Sequence, residues 1–323
     1  MKFPNSSLSR SPLRLFVARI LLAIVISLVA GLARAQTLYV SSGPGSIDTI
    51  SATGVVSPFA TLPYAATPTS LAFDSAGNLY AADYGSNQIY KITPGGAVSL
   101  FATLPFGGDD VIGLAMDGSG NLYATENPPT LSNYSSYVIE INPAGNVSIF
   151  DTLPYTLQGL AFDHSGNLYV ATFPSLALQI SGTTQPNSGV ILPGDVPNPW
   201  GLAFDASGNL YTVDNGTSQV CKITPGGTLS VLATIPGADR PQGAAINGNG
   251  DLFVADTNLN EISEITPNGT LSTFATGINS PTFLTFGPAP VPEPDGSPLL
   301  AIGLGALAAW PRHRARGCRA IAA

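Results

Sequence analysis

Four carboxylates occupy one equivalent place along this chain: Asp83, Glu126, Asp214 and Asp256 each end a segment that begins Leu-Tyr or Leu-Phe. Carboxylates converging on one mouth could bind Ca²⁺ or Mg²⁺ through oxygen ligands, and Asn127, Asn215 and Asn258 follow as further oxygen donors. An Asp at a strand end also bonds nearby backbone amides and shapes its own turn. One acid repeated at one place is the pattern that such a structural role produces. Ser42 and Thr172 stand at the same place and break the series. Proton transfer usually enlists His, and ahead of the C-terminal tail the chain has only His164, inside the turn Asp163-His164-Ser165-Gly166. Trp200, in Asn198-Pro199-Trp200, is the only Trp in the same stretch; its ring could stack on a sugar or peptide, or pack over neighbouring structure.

These residues ride on a repeat. The segment Leu-Ala-Phe-Asp-x-x-Gly-Asn-Leu-Tyr recurs in variants from Leu71, Leu114, Leu160 and Leu202, with a looser copy from Ala244. Its second leucine falls at Leu38, Leu79, Leu122, Leu168, Leu210 and Leu252, at separations of 41, 43, 46, 42 and 42 residues. A period in this range, made of short strands and Gly-rich turns, signals a β-propeller. One unit cuts into strands at Ser70 to Phe73, Asn78 to Ala82, Gln88 to Ile92 and Ala97 to Ala102, because alternating apolar residues there are bounded by Gly, Pro and Asn. Six copies predict an all-β fold, a six-bladed β-propeller of four-stranded antiparallel blades. The first copy lacks its innermost strand and Phe283 to Phe286 is left over at the far end. The N- and C-terminal strands are therefore expected to close one blade together, which leaves no end blade with unpaired edges.

The motifs Gly201 to Tyr211 and Ile89 to Gly96 resemble NHL-repeat and virginiamycin B lyase-like propellers, with gluconolactonase and regucalcin-like enzymes as more distant relations. The resemblance spans residues 37 to 288 and implies packing and turn geometry more than activity. It implies, for the lyases, a histidine acting with a metal, for which His164 is the one candidate. For the lactonases it implies Glu, Asn and Asp around a divalent ion, which Glu126, Asn127 and Asp214 could imitate.

In a propeller, the loops from outer strand to next inner strand and from second to third strand share one rim. Here that rim supplies the candidate ligand-binding residues Trp200, Tyr84, Asn198, Arg240, Gln242 and Tyr155, with Gln158 beside them, and the candidate metal set Asp83, Glu126, Asp214 and Asp256. The irregular loops Asn127 to Ser136 and Phe173 to Ser188 break the repeat on the same side, where departures from a repeat often mark the binding face. Loops held on a rigid scaffold are where function concentrates.

Both ends carry addresses. Lys2, Arg10, Arg14 and Arg19, the apolar run Ile20 to Leu32 and Ala33-Arg34-Ala35 read as a signal peptide over 1–35, a basic and then apolar helix with a cleavage site. Val291-Pro292-Glu293-Pro294, the apolar segment Leu299 to Trp310 and the cluster Arg312, His313, Arg314 and Arg316 resemble the PEP-CTERM sorting signal of Gram-negative bacteria. That resemblance implies an exosortase-type sorting protease as partner, and transient membrane association through a short hydrophobic helix in 291–323, held by the arginines on the inner side.

Between the ends, residues 36–290 carry 18 acidic against 3 basic groups, a formal charge of −15. Such a body repels phosphate backbones, which excludes nucleic acid as a partner, and suits solubility outside the cytoplasm. Cys221 is alone there, so no intramolecular disulfide forms in the body and stability must come from packing and ring closure. The expectation is an exported, monomeric propeller of the periplasm, outer surface or extracellular matrix, acting as a non-catalytic binding module for a surface glycan or protein. The alternative is a divalent-metal lactonase- or lyase-like enzyme using the acidic rim.

Overall fold

The computed structural model describes residues 36–63, 67–105, 110–127, 135–174, 176–180, 190–191, 196–238 and 240–288. All of them lie in one unit, Met1–Ala289. The segments 1–35 and 291–323, and the rim residues Tyr64, Phe106 and Asp109, fall outside the described residues.

The strands form six four-stranded antiparallel sheets. The first holds β1 (Leu38–Ser42), β2 (Ser46–Ile50), β3 (Val56–Thr61) and, beside β1, β24 (Leu284–Phe286). The second holds β4 (Thr67–Phe73), β5 (Leu79–Tyr84), β6 (Gln88–Ile92) and β7 (Val98–Thr103). The third is β8 (Asp110–Met116), β9 (Leu122–Asn127), β10 (Ser136–Ile141) and β11 (Val147–Leu153). The fourth is β12 (Thr156–Phe162), β13 (Leu168–Phe173), β14 (Leu176–Ile180) and the two-residue β15 (Val190–Ile191). The fifth is β16 (Pro199–Phe204), β17 (Leu210–Asp214), β18 (Gln219–Ile223) and β19 (Leu229–Thr234). The last is β20 (Pro241–Ile246), β21 (Leu252–Asp256), β22 (Glu261–Ile265) and β23 (Leu271–Thr276). The innermost strands touch in the order β4, β8, β12, β16, β20, β24 and back to β4, which closes the ring. The leftover C-terminal segment pairs with the first strand through Leu38↔Phe286, Tyr39↔Thr285 and Val40↔Leu284.

Aromatic contacts join four of the sheets to the next. There the Tyr or Phe that follows the repeat leucine meets the Phe ending the next inner strand, as in Tyr39 with Phe73 at 4.9 Å, Tyr123 with Phe162 at 5.2 Å and Tyr169 with Phe204 at 4.9 Å between ring centroids, whereas the strands that follow Tyr80 and Tyr211 end in Met116 and Ile246. Phe253 meets Phe286 at 5.2 Å, so the same contact crosses the closure. Most are edge-on, the arrangement that aromatic quadrupoles prefer. Below them the lower turns are tied by their own side chains. Asp205 Oδ1 accepts from the backbone N–H of Ser207 and Asn209, each at 2.9 Å, and its Oδ2 accepts from the Asn209 amide at 2.6 Å. Asp74, Asp117 and Asp163 repeat the arrangement, and the last sheet exchanges the roles, with Asn247 accepting and Asp251 at the far end. Burial pushes the Asp74, Asp163 and Asp205 carboxyls up, but these hydrogen bonds outweigh it and hold each below the usual carboxylate range.

Asp151 has the opposite sign. Asp151 in β11 stands where β3, β7, β19 and β23 carry Ala60, Ala102, Ala233 and Ala275. It is 8 % exposed and its Oδ2 has no hydrogen-bond partner. Burial raises its pKa, only partly countered by the Thr152 N–H.

Two outcomes follow from the folded-state charges. A depressed pKa stabilises the fold above the unfolded-state value of about 4 and loses that contribution as pH falls through the folded-state value, so the turn aspartates predict acid-sensitive melting. Asp151 works the other way, its charged form being penalised as pH rises through its raised pKa. The variant Asp151→Ala should therefore melt at a higher temperature at pH 7, by on the order of 1–3 kcal/mol in stability, and the gain should narrow as pH falls through the raised carboxyl pKa and be lost below the unfolded-state value of about 4, in melts followed by circular dichroism.

Candidate functional site

The upper rim is shaped by a bulge in the inner strands. Pairing jumps from Val111 to Leu114, Leu157 to Leu160, Pro199 to Leu202 and Pro241 to Ala244, leaving Ile112-Gly113, Gln158-Gly159, Trp200-Gly201 and Gln242-Gly243 out of register. In β4 the jump from Pro68 to Ser70 leaves Thr69 out. The inner strand of the second sheet consequently starts at Thr67, ahead of the Ser70 start expected from its apolar pattern. The glycines are required by crowding. A Cβ on Gly201 would lie 2.5 Å from Gln242 O and 2.6 Å from Ala244 N, and one on Gly159 would lie 2.4 Å from Trp200 O. Neighbouring inner strands thus meet backbone to backbone at a waist.

The residue before each waist glycine, or its counterpart, stands at one register position: Thr69, Ile112, Gln158, Trp200, Gln242 and Thr282. Thr282 Oγ1 donates to Pro68 O of the next sheet at 3.0 Å, so this side chain runs along the mouth. Trp200 and Gln242 are half-buried. Gln158 is buried, and its Oε1 has no hydrogen-bond partner. Arg240 is exposed, with φ at +74°, and Tyr84 is 44 % exposed. Tyr155 packs half-buried against the cluster that holds Leu153 and Leu157. Asn198 contributes its carbonyl to the Asn215 N–H at 3.0 Å.

The four acids are buried at the ends of the second strands. Asp83 Oδ1 accepts from Thr67 N at 2.7 Å, and its Oδ2 accepts from the Ser86 hydroxyl. Asp214 Oδ1 accepts from the N–H of Gly216 at 2.8 Å and Thr217 at 3.1 Å, and Asp256 Oδ1 from Leu259 N at 3.2 Å. Asn127 brackets Leu157 of the next sheet, accepting from its N–H and donating to its carbonyl, both at 2.8 Å. The Asn215 amide donates to Pro241 O at 3.1 Å, and Thr257 ties the last sheet to Pro281 O at 2.9 Å. Asn127 and Asn215 therefore join sheets where the sequence suggested oxygen donors for an ion. Among the described residues, no three His, Cys, Asp or Glu side chains stand close enough together to hold one metal ion. The acids are one per sheet and do not assemble.

Other groups lie away from this rim. His164 is exposed in the lower turn, beside a cleft of about 380 Å³ lined by Tyr169, Phe204 and Thr224 among others. Below the waist the channel opens to about 400 Å³, lined by Leu71, Leu114, Leu160, Leu202 and Phe162 among others. The Cys221 thiol is buried, and its pKa is pushed up to about 11 by that burial and by the Asp214 carboxylate; it is no nucleophile at neutral pH.

No protein-family model matches the chain, and no curated protein does. Solved structures do. The chain is 20 % identical to a chain of a nidogen/laminin complex, with a TM-score of 0.65 over 79 % of this chain and 99 % of that one. It is 17 % identical to a protein of unknown function from Bacteroides caccae, with a TM-score of 0.60 over 78 % and 99 %. It is 19 % identical to virginiamycin B lyase from Staphylococcus aureus, with a TM-score of 0.55 over 76 % and 90 %. These likenesses show the β-propeller fold. At such identities they speak for fold alone.

Two substitutions check the site's construction. Gly201→Ala should cost about 3 kcal/mol or abolish folding, since the intruding methyl meets backbone rather than a movable side chain. Asp214→Ala should lower stability by about 1–3 kcal/mol, read from urea melts. That loss should be the same with and without Ca²⁺ or Mg²⁺ if the carboxylate serves its turn, and should appear only with the ion if it serves a metal.

Proposed function

We propose that the protein is an exported, six-bladed recognition propeller that binds its ligand at the upper rim without catalysing a reaction. The observation that carries this reading is a division of labour among the rim side chains. Asp83, Asp214 and Asp256 bond their own turns, and Asn127 and Asn215 bond the next sheet. Trp200, Gln242, Arg240 and Tyr84 remain half-buried or exposed on the same side. An aromatic ring, amides and one guanidinium on a rigid ring suit recognition by stacking and hydrogen bonding. Signal residues 1–35 support export, and the PEP-CTERM-like tail 291–323 supports handling by an exosortase-type protease with transient membrane association. The acidic body supports a monomer that stays soluble in the envelope or matrix.

The test is retention of glycans and proteins from a Gram-negative envelope preparation on immobilised protein, beside Trp200→Ala and Tyr84→Ala. Saturable binding by the parent, weakened at least tenfold in Trp200→Ala, is the expected result. Turnover of a lactone panel that needs a divalent ion and is lost in Asp214→Ala would overturn the reading in favour of an enzyme.

A further inference from the structure

Among the described residues the body carries three cations, and they are not equivalent. Lys91 Nζ lies 3.8 Å from Asp74 Oδ2 and 5.4 Å from the centre of the Tyr80 ring. Lys222 Nζ lies 5.3 Å from the centre of the Tyr211 ring. Both are thereby engaged on the lower half, next to the Asp turns. Arg240 makes no such contact, is exposed, and is held with a positive φ that a side-chain-bearing residue rarely adopts. It precedes Pro241 and Gln242 at the mouth, one sheet on from Trp200. One sheet before Trp200 stands Gln158, 6 % exposed, whose Oε1 lacks any hydrogen-bond partner. A buried acceptor left unsatisfied in a folded protein needs an explanation, and at the mouth a bound ligand's donor supplies one. Because the inner strands meet backbone to backbone at Gly159 and Gly201, the three sheets bring these groups into one short arc.

We propose that Gln158, Trp200, Arg240 and Gln242 form a subsite for an acidic saccharide, a short oligosaccharide with a ring carboxylate; this rests on the recognition reading above and names its ligand class. The Trp200 face suits the C–H face of a pyranose. Gln158 Oε1 accepts a sugar hydroxyl, and the Gln242 amide both donates and accepts. The Arg240 guanidinium matches a carboxylate with two parallel N–H donors. The body's charge of −15 repels long polyanions, which confines the ligand to one or a few acidic units seated at Arg240.

The experiment is calorimetric titration of the full chain with trigalacturonate and, in parallel, with neutral trigalactose. Trigalacturonate should bind at least tenfold more tightly. Arg240→Gln should erase that preference by lowering trigalacturonate affinity at least tenfold, and Trp200→Ala and Gln158→Leu should each weaken both sugars. Trp200→Phe, which keeps a stacking face, should recover most of the affinity, and circular dichroism melts establish that each variant is folded. No sugar binding, equal affinity for both sugars, or binding indifferent to Arg240→Gln and Trp200→Ala would overturn the inference. If trigalacturonate fails while an envelope component still binds in a Trp200-dependent way, only the ligand class falls. If envelope binding survives Trp200→Ala and Tyr84→Ala, the rim reading falls with it.

Discussion

The ring depends on its waist, where Gly113, Gly159, Gly201 and Gly243 let one inner strand rest on the backbone of the next. In these four strands a Cβ would strike the neighbouring backbone, so the ring closes there only because the strand is bare. The bulge is the accompanying device, since it takes two residues out of the ladder and turns the residue before the glycine toward the mouth. Packing thus decides which positions are free to vary. Ser70 and Phe283 hold the waist position where glycine is absent, and hydroxyls take up the backbone groups there: Ser70 Oγ accepts from Leu114 N at 2.9 Å, and Ser41 Oγ accepts from Phe283 N at 3.0 Å.

Above and below this waist the polar residues follow different rules. The lower turns satisfy their own backbone with Asp and Asn, and beside them Lys91 and Lys222 lie over tyrosine faces. On the upper side, hydrogen bonds run between sheets, from Asn127 to Leu157, Asn215 to Pro241 and Thr257 to Pro281. The repeat is therefore built twice over: local bonds make each turn, and longer bonds lock each sheet to its successor. At the bulge positions Thr69 and Thr282 share the second task, donating to Val111 O and Pro68 O of the next sheet, while Trp200 and Gln242 stand half-buried at the same positions.

Much of this was legible in the sequence. The leucines at Leu38, Leu79 and onward mark the second strands, and the leftover segment at Phe283 to Phe286 marks the strand that pairs with β1. The site was less legible, because a carboxylate at a strand end looks alike whether it binds an ion or caps a turn. Only the partners of Asp83 and Asp214 distinguish the two. Asn127 and Asn215 read as oxygen donors for the same reason, although their amides reach a strand about 26 to 30 residues onward, a contact that no local pattern announces. Asp151 was missed altogether, yet its signal was present in the alignment of the repeat with itself, as an acid where the other outer strands have alanine. Gln158 was visible as a rim residue, but its unsatisfied oxygen depends on burial that only the folded ring creates.

The strand that closes the ring also fixes how the molecule can be held. Thr37 and Gly287 are joined by a 2.9 Å backbone hydrogen bond, and Pro288 lies against the lower turn at Gly77. The chain therefore enters and leaves the ring at one point, on the face opposite Trp200. A pull on the chain at Pro288 would fall first on the three residues of β24, making the seam of the ring also its mechanical fuse.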